Sequence, residues 1–127
     1  MTNRWSKETL EKFKSADDMY VSPFYSDSKT LGTPTWIWNV IVDGELYVRA
    51  YNGQNSRWYQ SAKTQQAGQI QLAGETYDVI FEPVTRTTKL DEAINQAYKN
   101  KYGDSIYYPP MVKEGAVSTT VKIFPNQ

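Results

Sequence analysis

The chain's 127 residues and 14.6 kDa match the size of one domain, and its 14 basic side chains cancel its 14 acidic ones, which excludes the general electrostatic footprint of a nucleic-acid binder. The lack of cysteine and histidine excludes disulfides, thiolate nucleophiles, Cys/His zinc sites, haem ligation by histidine and Ser-His-Asp triads. Residues 1–10 are polar, and no apolar run approaches the ~20 residues of a membrane span, so the expectation is one cytoplasmic domain, 1–127, with no membrane partner.

The first element is a short helix with Ser6 as N-cap, Trp5 and Leu10 at the spacing of a hydrophobic staple, and Leu10 with Phe13 on one face. Residues 15–18 break it, and 19–24 read as a strand whose Pro23 belongs on an edge, followed by a loop over 25–34. Between residues 35 and 51 two apolar runs flank Asp43-Gly44, a pair suited to a type I′ turn, which predicts a β-hairpin. A two-residue loop pairs Val42 with Glu45, Val40 with Tyr47, Trp38 with Arg49 and Trp36 with Tyr51. These side chains share one face; Ile37, Asn39 and Ile41 with Leu46, Val48 and Ala50 form the other, which suits a barrel interior.

A loop over 52–55 leads into a short helix over 56–66 capped by Ser56. A second hairpin follows, with strands over 69–72 and 75–84 about Ala73-Gly74. The longest helix covers 89–102, with Thr88 and Asp91 at capping-box spacing and Gly103 at C′. Residues 104–115 read as irregular, and alternation over 116–124 predicts a strand that closes the sheet. About six mostly antiparallel strands with two or three short helices define an α+β, mainly β, barrel or roll.

Ten Tyr, four Trp and four Phe exceed the needs of a minimal core and point to a pocket or a subunit interface. The stretch Trp36, Trp38, Tyr47, Arg49, Tyr51, Asn52, Gly53, Ser56, Arg57, Trp58, Tyr59 offers stacking faces, guanidinium donors and a helix start, the groups that a planar ligand with an anionic tail needs. The competing explanation is a dimer interface with Arg49 stacked on Trp38 and Arg57 solvated. Lys99, Lys101 and Tyr102 suit the helix dipole, and Ser118, Thr119, Thr120 and Lys122 are weak phosphate donors. No spacing marks a metal cluster, a catalytic pair or a P-loop, so the catalytic residues are unknown.

The segments Thr35-Trp36-Ile37-Trp38-Asn39-Val40, Leu46-Tyr47-Val48-Arg49, Trp58-Tyr59, Gly68-Gln69-Ile70, Ala97-Tyr98-Lys99-Asn100-Lys101-Tyr102-Gly103 and Ser118-Thr119-Thr120-Val121-Lys122-Ile123-Phe124-Pro125 resemble the bacterial proteins grouped as domain of unknown function 2255. The resemblance covers about Phe13 to Pro125. It implies a split β-barrel like that of the pyridoxamine-phosphate-oxidase and deazaflavin-dependent nitroreductase group, often homodimers that hold FMN or a deazaflavin as oxidoreductases. On that basis Arg49, Ser56 and Arg57 would hold the cofactor phosphate, with Trp38, Trp58 and Tyr59 near the ring and Asn52-Gly53 in the adjoining loop. The alternative is a non-catalytic barrel whose aromatic face serves dimerisation or takes a small apolar metabolite.

Overall fold

The computed structural model describes residues 4–25, 27 and 29–126; positions 1–3 of the polar N-terminal stretch and positions 26 and 28 of the loop after the first strand lie outside the described residues. Helix α1, Lys7–Ser15, starts where the Ser6 hydroxyl accepts the Thr9 amide at 3.1 Å, and it buries Leu10 and Phe13. Trp5 enters the same core, meeting Phe13 edge-on at 5.1 Å while its Nε1–H donates to the Ile123 carbonyl at 2.8 Å.

The strands are β1 (Tyr20–Pro23), β2 (Thr35–Trp36), β3 (Asn39–Val42), β4 (Glu45–Val48), β5 (Ala67–Leu72), β6 (Glu75–Pro83) and β7 (Val121–Pro125). They form one antiparallel sheet in the order β2-β1-β5-β6-β7-β4-β3. Two hairpins within it are set by local backbone chemistry. Asp43 and Gly44 have φ of 51° and 79°, and Ala73 and Gly74 have 53° and 79°, the left-handed pair that a two-residue turn requires.

The sheet's two edges, β2 and β3, are separated in sequence only by Ile37 and Trp38. A flat sheet of this width would hold its outer strands about 29 Å apart, given ~4.8 Å per strand spacing. Three peptide units span at most about 11 Å. The sheet must therefore curl until its edges nearly meet, which makes it an open, split-barrel-like half-barrel.

Inside the curl, Leu46, Val48 and Ala50 pack with Ile70, Leu72, Val79, Phe81, Val121 and Ile123. Outside it, Val40 and Tyr47 are covered by Ile94 and Tyr98 of α3 (Thr88–Tyr102), Met111 of α4 (Tyr108–Met111) and Ala116 of α5 (Glu114–Val117). The hairpin thus has an aliphatic inner face and an aromatic outer face, as its alternation implies, and the chain's own helices cover much of the outer one.

Several expectations need correction. Seven strands, not six, are present among the described residues, with five α-helices rather than two or three. Hairpin pairing holds at Val42–Glu45 and Val40–Tyr47 but stops at Asn39–Val48, because the chain bends at Ile37 and Trp36 pairs with Tyr20 instead of Tyr51. The 52–55 loop contains a 3-10 turn at Gly53–Asn55, and Ser56 precedes α2 (Arg57–Gln65) without a side-chain capping bond.

Helix α3 is capped one residue earlier than expected: the Thr87 hydroxyl accepts the Leu90 amide at 3.1 Å. Gly103 at its end is right-handed, with φ −58°. The segment read as irregular carries α4, where Pro109 and Pro110 open a helical turn that needs no amide donor from them. The alternating pattern over 116–120 is not strand: Thr119 and Thr120 donate their hydroxyls back to the carbonyls of Ala116 and Val117. β7 is correspondingly shorter, and it closes the sheet by lying between β6 and β4, where it joins the two hairpins.

Candidate functional site

Where the two sheet edges meet, a cavity of about 340 Å³ opens against the bend. Trp36, Ile37 and Trp38 supply one wall, and Tyr51, Tyr107 and Met111 supply the other, with Arg49 completing the lining. Trp38 is held flat: its ring stacks on Tyr102 with centroids 4.1 Å apart and planes 1° from parallel. The Trp36 indole donates to the Asp17 carbonyl at 2.7 Å, which fixes a side chain that is otherwise half exposed. Across the opening Tyr51 and Tyr107 meet edge to face at 6.0 Å.

Arg49 has no exposed surface. Its Nε donates to Thr120 Oγ1 at 3.1 Å, Nη1 to Met111 O at 3.0 Å and to Asn95 Oδ1, and Nη2 more weakly to Asp91 O at 3.4 Å. Its guanidinium also lies 5.4 Å from the Tyr98 ring centroid. Burial pulls the guanidinium below the usual arginine range, opposed by Tyr98 and by the Asp91 carboxylate. That carboxylate contacts another cation, since Asp91 Oδ2 takes Arg86 Nε and Nη2 at 3.2 and 3.0 Å, and Arg86 reaches on to Glu114. Arg49 therefore acts first as a bolt, joining the end of β4 to α3, α4 and the approach to β7.

The residues read from the sequence as one site divide among several places. Trp38 and Arg49 line the cavity just described. Arg57 and Trp58 line a second one of about 400 Å³. Tyr59 is buried in the inner core, which Trp58 also joins. Asn52 is exposed, Ser56 is half-buried, and Gly53 has φ +70° in the 3-10 turn, where a Cβ would come 3.3 Å from the Gly115 carbonyl. Gly53 thus allows the turn to approach α5.

Of the weaker phosphate donors, Thr119 accepts the Ala50 amide at 2.8 Å and Thr120 accepts Arg49, so both hydroxyls serve the fold. Lys101 donates to Phe13 O at 3.1 Å, Asn39 O at 3.0 Å and Asn39 Oδ1 at 3.2 Å, which ties α3 to α1 and β3. Sequence reading missed Tyr107 and Met111 as cavity residues. The density of Tyr and Pro over 107–110 was the available signal. Among the described residues no cluster of three or more acidic side chains has metal-binding geometry, and no helix is long and apolar enough to cross a membrane.

Residues 9–123 match the model of a family described as an uncharacterised protein conserved in bacteria, domain of unknown function 2255. The match spans most of the chain, and the protein belongs to that family. No curated protein matches it.

Proposed function

Because that family's description names no reaction, we propose from the geometry that the cavity at the bend binds a small, planar, largely apolar ring compound. The observation that carries this is the pairing of rigid aromatic walls, Trp36, Trp38, Tyr51 and Tyr107, with an apolar volume of about 340 Å³. The buried charge of Arg49 disfavours a cationic ring and favours one whose charge, where it has any, is negative.

A flavin's ring belongs to the class these walls accept, but its phosphate does not suit the residues present. Four of the five Arg49 N–H groups are engaged by the fold, Thr119 and Thr120 have spent their hydroxyls, and Arg57 lines the other cavity. No hydride transfer is assigned to this chain on that basis.

The test is thermal shift and tryptophan fluorescence with riboflavin, FMN and naphthoate. The expected result is stabilisation by the unphosphorylated rings at least equal to that by FMN, abolished in Trp38→Ala. Absence of any shift with all three would remove the ligand reading. A second reading, contact between two copies across the same mouth, is favoured by its exposed aromatic lining, Trp36, Tyr51 and Tyr107, with the 83% exposed Ile106 next to Tyr107 in the chain. Sedimentation of the wild type and Ile106→Ser tests it, and a concentration-independent monomer in the wild type would dismiss it.

A further inference from the structure

The second cavity differs chemically from the first and does not depend on the ring-binding reading. Its volume is about 400 Å³, and none of the described residues lining it is acidic. Thr33, Thr35 and Ser61 line it with hydroxyl-bearing side chains, of which Thr35 already donates to the Thr33 carbonyl at 3.2 Å and is left as an acceptor, while Tyr25 and Trp58 supply aromatic surface and Arg57 supplies a cation. Arg57 is exposed and forms no hydrogen bond or ion pair with any described residue.

These features select a ligand class by exclusion and by complementarity. A cation would meet Arg57 with no carboxylate among the described lining residues to offset it. A purely apolar compound would strip water from the Thr33 and Ser61 hydroxyls and from the acceptor side of Thr35 without replacing their hydrogen bonds. A polyol presents both donors and acceptors to hydroxyls and sets its C–H faces on aromatic rings, while an anionic group on it takes a charge-assisted bond from a free guanidinium. One Gln60 amide N–H is committed to Gln54 O at 2.5 Å, which leaves the second N–H and the side-chain carbonyl of this lining residue for a polyol.

We propose that this cavity is a binding site for a small polyhydroxylated anion, a sugar carrying a phosphate or carboxylate, held by the Arg57 guanidinium and the hydroxyls of Thr33, Thr35 and Ser61 against Trp58. Residues 33–38 form a partition between the two sites. Thr33 and Thr35 line this cavity, while Trp36, Ile37 and Trp38 line the apolar one, so one short edge segment serves two chemically distinct pockets.

The experiment is titration of the full 15N-labelled chain with glucose 6-phosphate, followed at the indole N–H of Trp58, with glucose and inorganic phosphate titrated separately. The expected result is a saturable shift of Trp58 with glucose 6-phosphate, weaker effects from either half alone, and unchanged signals from Trp36 and Trp38. Arg57→Gln should weaken glucose 6-phosphate by about tenfold or more, the worth of one charge-assisted contact, with an unaltered melting temperature. Thr35→Val should weaken it less and should also lower glucose binding.

The proposal is overturned if Trp58 does not respond saturably, or if the response is indifferent to Arg57→Gln. It is likewise overturned if inorganic phosphate matches glucose 6-phosphate, which would mean an adventitious anion only.

Discussion

Arg49 and Arg57 stand eight positions apart in the chain and look equivalent as anion ligands, yet the fold gives them opposite circumstances. The first is wholly buried with its guanidinium engaged by Thr120, Asn95, Met111 and Asp91; the second is exposed and engaged by no described residue. A buried guanidinium must be satisfied by the protein itself, because leaving its donors unpaired in a low-dielectric interior costs several kcal/mol. An exposed one is satisfied by water and gives that water up to a ligand. The comparison teaches that an arginine's availability for binding is decided by burial rather than by the motif in which it lies.

The largest expected effect breaks the buried arrangement. Arg49→Ala leaves four backbone and side-chain acceptors without their guanidinium partner and a void in place of a fully buried side chain, so unfolding free energy should fall by about 3 kcal/mol or more, measured by urea denaturation. Arg49→Lys should recover only part of it, since an ammonium cannot present the same fork of donors. Next in size, Asn95→Ala removes one acceptor and leaves one Nη1–H unpaired, with an expected loss of about 1–2 kcal/mol in the same assay.

Lys101 gives an intermediate case, half-buried and held by three acceptors. Burial pulls its amine from 10.5 down to about 8. Between those values the unfolded chain holds the extra proton, so this group makes stability increase as pH rises from about 8 toward 10.5. Above pH 10 Tyr102 opposes it: burial pushes its phenol up from 10.0 to about 12, so its contribution is lost as pH climbs through that interval. Lys101→Met should abolish the increase while leaving the alkaline decline, read from melting temperatures across pH 7 to 11. The smallest effect sharpens the contrast from the other side: Arg57→Gln should change stability by no more than about 0.5 kcal/mol in urea.

How much was legible in the sequence follows the range of the interactions involved. Asp43-Gly44 and Ala73-Gly74 announce their turns because the left-handed backbone they supply is a local requirement. The α3 stripe is legible for the same reason, although the cap falls on Thr87. The two faces of the β3–β4 hairpin were readable from alternation, but what covers the outer face was not, since Ile94, Tyr98 and Met111 come from distant parts of the chain. Arg49's role was hidden likewise: its acceptors lie 42 to 71 positions away. Val117 and Thr119 kept a strand-like rhythm, while the threonine hydroxyls bound backbone carbonyls three residues back and held a helical turn.

The bend at Ile37–Trp38 works as a clasp. One dipeptide fixes how far the half-barrel can spring open and also supplies part of one wall of the apolar pocket, so curvature and pocket width are a single mechanical variable. Lengthening the clasp by one glycine should loosen both margins at once, seen as faster amide exchange in β2 and β3 together while β5 and β6 hold. A compound wedged against Trp36 and Trp38 should do the reverse, so that occupancy of a small pocket is felt along the whole seam.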